Sequence, residues 1–127
     1  MRETLFGIVA VVLLSGCGPS DSERSSIAAA ELAGRIQAGS PPLVLDVRTR
    51  DEYARGHIPG AVNIPHEELP SRLAELPIGS SDEMVVHCQS GRRAAIAENA
   101  LRENGYTNVR DLVGHWKAWQ EAGLPSE

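Results

Sequence analysis

The sequence predicts an α/β fold built on a parallel sheet. Three observations carry that prediction. Leu43-Val44-Leu45 and Met84-Val85-Val86-His87 are short apolar runs without alternation, and helically spaced apolar residues lie between such runs. Glycine and proline punctuate the junctions. Unalternating runs suit strands covered on both faces, and strands that take turns with helices pair in parallel.

In chain order, Ala29, Leu32, Ala33 and Ile36 fall at i, i+3, i+4 and i+7, which predicts an amphipathic helix over 27–38. Gly39 stops it and Pro41-Pro42 prevents a restart. The first strand follows at 43–45. Thr49-Arg50-Asp51-Glu52 matches a capping box, so a short helix is predicted over 50–55. Gly56 to Gly60 reads as a loop and Ala61 to Ile64 as a second strand. Leu69, Leu73 and Leu76 suggest a helix over 66–76, and 84–87 is the third strand, ending at Cys88. Ile96, Ala97, Ala100 and Leu101 restore helical spacing, with Asn104-Gly105 as its C-cap. Val109 to Val113 is a further strand. A last helix carries Trp116 and Trp119 and stops at Gly123 and Pro125.

The chain of 127 residues is long enough for one domain. Aromatic residues are only 4% of it, so the core must be mostly Leu, Val, Ile and Ala. A formal charge of −5 argues against non-specific nucleic-acid binding, which needs a basic surface. An anionic small substrate is still compatible, because Arg92 and Arg93 form a local cationic cluster beside Gly91.

The N-terminus reads as an address. One arginine precedes the uncharged run Leu5 to Leu14, which suits a signal-peptide core and is too short to span a bilayer as a helix. Leu14-Ser15-Gly16-Cys17 resembles the lipobox of bacterial lipoproteins. That resemblance implies a signal peptide over 1–16, cleavage before Cys17, and acyl chains on Cys17 that anchor the protein to a membrane of the cell envelope. Gly18, rather than aspartate, follows Cys17; by the same analogy this favours the outer membrane of a Gram-negative host. Residues 17–26 then form a short polar tether ahead of a domain over 27–125.

Cys88 opens the segment Cys88-Gln89-Ser90-Gly91-Arg92-Arg93, between a predicted strand and a predicted helix. In parallel sheets ligands bind beyond the carboxyl ends of strands. A thiol placed there sees free backbone N–H groups, the positive end of a helix dipole and nearby arginines, all of which favour thiolate over thiol. Gly91 lets successive N–H groups converge on one anion. A buried structural cysteine needs no such cationic glycine loop.

Leu45-Asp46-Val47-Arg48, Glu52, the run Gly56 to Pro65, the Cys88 segment and Gly114-His115-Trp116 together resemble the rhodanese domain, over about residues 27–125. The resemblance implies a three-layer fold whose five-stranded parallel sheet is flanked by helices. It also implies that Cys88 is the sulfur-carrying nucleophile and that the loop of Gln89, Ser90, Gly91, Arg92 and Arg93 cradles its persulfide. Two positions depart from the family pattern: His115 stands where a second glycine before Trp116 is usual, and Ala28 takes the usual cap position of the first helix. Related phosphatases and arsenate reductases place five residues between cysteine and arginine, whereas Cys88 and Arg93 enclose four. By that analogy the smaller cradle suits a sulfur atom rather than a tetrahedral oxyanion.

The expected activity is sulfur transfer from thiosulfate or a related anionic donor, through a Cys88 persulfide, to cyanide, a thiol or a protein. The main alternative is a persulfide carrier that docks with a partner enzyme without turnover of its own. Asp46 and Arg48 are expected to fix the loop by pairing with one another or with Glu52, and His57 to order its own loop. His87 and Cys88 are adjacent in a strand, so their side chains are expected on opposite faces, against a Cys–His dyad. His66 and His115 stand singly without metal-ligand spacing, so neither metal nor cofactor is expected. Trp116 and Trp119, three apart, are expected in the core.

Overall fold

The computed structural model describes residues 25–127; the predicted signal segment, Cys17 and most of the tether lie outside the described residues. The strands are β1 (Ser26–Ile27), β2 (Leu43–Asp46), β3 (Val62–Asn63), β4 (Met84–His87) and β5 (Val109–Leu112). The helices are α1 (Ala29–Gln37), α2 (Arg50–Arg55), α3 (Arg92–Glu103) and α4 (His115–Glu121). All strand pairs are parallel, in the order β1-β5-β4-β2-β3. The chain is therefore the α/β, five-stranded parallel sheet that its pattern predicts.

Covering both faces of the sheet explains why its strands do not alternate. On one face Leu45, Met84 and Val86 pack with Ala94, Ala97 and Leu101 of α3 and with Leu69. On the other, Val44 and Val85 meet Leu32 of α1 and Trp116 and Trp119 of α4. Both tryptophans are thus core residues. A fully buried aliphatic side chain contributes about 1.5–3 kcal/mol relative to an exposed one. Central β4 is buried along its whole length, so its carboxyl end is the best-held point in the sheet.

The local signals explain most helix ends. Thr49 accepts from the Glu52 amide while the Glu52 side chain accepts from the Thr49 amide, the reciprocal cap that starts α2. Gly105, at φ +88°, follows the last turn of α3, and the Tyr106 amide bonds the Leu101 carbonyl.

Four expectations are corrected. Residues 66–76 do not form an α-helix; two short 3₁₀ turns, Leu69–Ser71 and Leu73–Glu75, take that place. Pro70 has no amide for an α-helical bond and its ring would collide with the preceding turn, while Leu69 and Leu76 still reach the core. The first helix begins at Ala29 rather than residue 27, because Ser26 and Ile27 pair with Asp111 and Leu112 as an edge strand. The second strand is confined to Val62–Asn63, although the Ile64 amide still bonds the Asp46 carbonyl. The strand predicted over 109–113 ends at Leu112, leaving Val113 exposed.

Candidate active site

Cys88 follows β4 directly, 1% exposed, with its side chain on the α3 face of the sheet. The chain then turns through Gln89, Ser90 and Gly91 into α3. Gly91 has φ +127°, a conformation that side chains other than hydrogen resist. That geometry aims the Gly91 N–H at Cys88 Sγ, 3.0 Å away. The first helical hydrogen bond of α3 runs from the Ala95 amide to the Gly91 carbonyl. The amides of Arg92, Arg93 and Ala94 consequently have no carbonyl within their own helix, and the helix dipole adds positive potential at the same end.

The loop is gripped from the sheet side by its own backbone. The Cys88 amide donates to His115 Nδ1 at 3.2 Å. The Cys88 carbonyl accepts from the Trp116 amide and from His87 Nδ1, each at 3.1 Å. The Lys117 amide bonds the Gln89 carbonyl at 3.2 Å. The first turn of α4 therefore spends its free amides on the Cys88 loop. His87 is fully buried, and burial pushes its pKa down, so the ring is neutral with its proton on Nδ1. It bonds the Cys88 backbone rather than the sulfur, which leaves no Cys–His dyad between the two.

The two arginines have separate surroundings. Arg93 makes a bidentate pair with Glu52 of α2, at 2.7 and 3.0 Å. The Arg93 hydrogen bond is the largest influence holding the Glu52 carboxyl at about 2. Arg92 is exposed, and among the described residues no carboxylate pairs with it. Arg93 therefore ties α3 to α2, and Arg92 is the cation free to meet an anion.

Asp46 and Arg48 form a buried bidentate pair, with Arg48 Nη2 2.7 Å from Asp46 Oδ2. Arg48 also donates to the Gly56 carbonyl at 2.8 Å and lies over the Trp116 ring, 4.6 Å from its centroid. Asn63 bridges the carbonyls of Asp46 and Arg48 at 2.9 Å each. His57 stacks on Tyr53 at 3.7 Å and its Nδ1 lies 2.9 Å from the Tyr53 carbonyl, which orders the 56–60 loop. A cavity of about 250 Å³ beside the Cys88 loop is lined by Arg48, Arg55, Gln89, Trp116 and Gln120 among others. A larger apolar hollow of about 450 Å³, between α1 and the C-terminal segment, contains no titratable or nucleophilic group.

The structure brings together Cys88, Gly91, Arg92, Arg93 and Glu52 as one constellation, with Asp46 and Arg48 behind it. Sequence reasoning overlooks His115 and Asn63. His115 has a readable signal: it replaces a glycine in the Gly114-His115-Trp116 pattern, at φ +55°. Asn63 has none, because its role depends on the Asp46 carbonyl at the end of β2 and the Arg48 carbonyl just beyond it.

A sequence profile of the rhodanese-like domain matches residues 28–122. The chain is 38% identical over 103 residues to a thiosulfate:glutathione sulfurtransferase of Homo sapiens, covering 72% of this chain and 89% of that protein. It is 38% identical over 76 residues to a putative sulfur carrier protein, YrkF, of Bacillus subtilis, covering 60% of this chain and 40% of that one. The Alr3790 protein of Anabaena superimposes with a TM-score of 0.73 at 34% identity, over 80% of this chain and 81% of that one. With its parallel sheet and its cysteine loop between β4 and α3, this chain belongs to the rhodanese-like domain family.

Proposed function

We propose that the protein is a sulfurtransferase that takes a sulfane sulfur from thiosulfate or a related anionic donor. The observation that carries this reading is the Gly91 N–H aimed at Cys88 Sγ within a loop whose neighbouring cation, Arg92, is unpaired among the described residues. The Cys88 thiolate attacks the outer sulfur of thiosulfate. A bond forms between the two sulfurs, the bond to the sulfonate sulfur breaks, and sulfite leaves with its electron pair. The terminal sulfur of the persulfide carries the negative charge, stabilised by amide N–H groups at the start of α3. An acceptor thiolate or cyanide then attacks that sulfur and restores the Cys88 thiolate, a ping-pong sequence. Arg92 attracts the donor and balances charge on departing sulfite.

Intact-mass spectrometry of the purified protein before and after thiosulfate tests this, with thiocyanate formation from cyanide as the turnover assay. One added sulfur on wild type and none on Cys88→Ser, with thiocyanate released, is the expected result. No loading overturns the thiosulfate reading. Loading without turnover favours the carrier reading, to which the likeness to the Bacillus subtilis protein lends support.

The sequence pattern around Leu14-Ser15-Gly16-Cys17 supports a second part of the proposal: a lipid on Cys17 tethers the domain to an envelope membrane. Metabolic labelling with a fatty acid is expected to mark wild type and not Cys17→Ser. Equal labelling of the two overturns the anchor.

A further inference from the structure

His115 is a non-glycine residue in the left-handed region, with φ +55°. Such a conformation is uncommon for a side chain of this size and points to a function that holds it there. Its ring is buried, and Nδ1 accepts the Cys88 N–H. An accepting Nδ1 places the ring proton on Nε2, which faces Asp111 Oδ1 at 3.4 Å. Beyond Asp111 lies Glu98 of α3, buried, with its carboxyl pushed up to about 8 by burial, by the charge of Asp111 and by a hydrogen bond with it.

The same ring lies against the far end of the loop. A Cβ added to Gly91 would sit 3.0 Å from His115 Nε2 and 3.3 Å from Cδ2. One imidazole thus bonds residue 88 through its amide and fills the space that a side chain on residue 91 would need. Residue 91 is the one whose N–H meets the sulfur.

We propose that His115 is a positioning residue of the Cys88 loop: its ring, oriented by Asp111, receives the Cys88 amide and wedges Gly91 so that the Gly91 N–H stays on the sulfur. The rate readout below rests on the sulfur-transfer reading; the amide readout does not.

His115→Gly and His115→Asn both suit the left-handed backbone, so each is expected to fold. Asparagine also offers an oxygen near the place of Nδ1. Persulfide loading from thiosulfate, followed by intact mass at about pH 7.5, is expected to slow about fivefold in His115→Gly, the effect of one net hydrogen bond, and to recover to within about twofold in His115→Asn. Hydrogen exchange at the Cys88 and Gly91 amides is expected to quicken in the glycine variant and return in the asparagine variant. Equal rates in wild type and His115→Gly, or equal slowing in both variants, each overturn the proposal. If wild type takes up no sulfur from thiosulfate, the donor reading fails instead. Amide exchange then decides alone, and unchanged exchange in His115→Gly overturns the role of His115.

Discussion

Adjacent arginines in the Cys88 loop differ in what they face, and that difference separates binding from support. Arg92 is exposed and unpaired among the described residues, whereas Arg93 is committed to Glu52. Arg92→Ala is expected to raise the KM for thiosulfate several-fold and to leave thermal stability unchanged. Arg93→Ala is expected to cost about 1 kcal/mol, at the upper end for a partly exposed pair, with a smaller effect on KM. The pair also sets an acid sensitivity. Because Arg93 holds Glu52 at about 2 against an ordinary 4.5, its stabilisation is complete above 4.5 and is lost as pH falls toward 2. Acid unfolding of Arg93→Ala should therefore begin at higher pH than that of wild type. Steady-state kinetics and pH-dependent melts read both arginines. The sequence leaves the choice between them open, because the spacing that puts both beside Cys88 does not say which one meets a carboxylate from another helix.

Among the elements, α3 bears the clearest tension. Its inner face packs Ala94, Ala97 and Leu101 into the core, and Glu98 shares that face. The Glu98 carboxyl is buried with Oε1 unpartnered and is raised to about 8. A raised carboxylate stabilises the fold fully below its unfolded value of 4.5, and that contribution is lost as pH rises toward 8. Glu98→Gln is expected to melt with wild type near pH 4.5 and above it past pH 8, because glutamine has no proton to lose. Parallel melting curves across that window would refute this. The helical spacing of α3 is plain in the sequence, yet it marks Glu98 only as a polar gap in an apolar face. Over 66–76 spacing misleads in the opposite sense: Leu69 and Leu76 are buried and Leu73 packs half-buried against the core, while Pro70 denies them an α-helix.

Across the whole molecule, the Asp46–Arg48 pair joins what the chain keeps apart. Asp46 ends β2, Arg48 reaches the Gly56 carbonyl of the next loop and the Trp116 ring of α4, and Asn63 of β3 caps both backbone carbonyls. The pair is essentially unexposed, so removing one partner strands a charge in the interior. Arg48→Met is expected to lose about 3–5 kcal/mol in denaturant titrations. Adding Asp46→Leu to that variant is expected to recover part of the loss, because no unpaired charge then remains. A double variant as unstable as the single one would mean that the pair acts through geometry rather than charge.

By itself the sequence determined the α/β class, the strand that delivers Cys88 and the glycine turn with its cations. These follow from local rules of spacing, capping and backbone freedom that act within a few residues. The edge strand Ser26–Ile27 has no such signal, since only its pairing with Asp111 and Leu112 makes it a strand. The same holds for the tertiary partners of the loop and its surroundings. His115, Asp111, Glu98, Asn63 and Glu52 are scattered through the chain, and each is completed by a group that the fold brings to it, as Cys88 is to His115 and Arg93 to Glu52. Their hydrogen bonds and titration depend on distance and burial, which exist only once the sheet has closed between its two layers of helices.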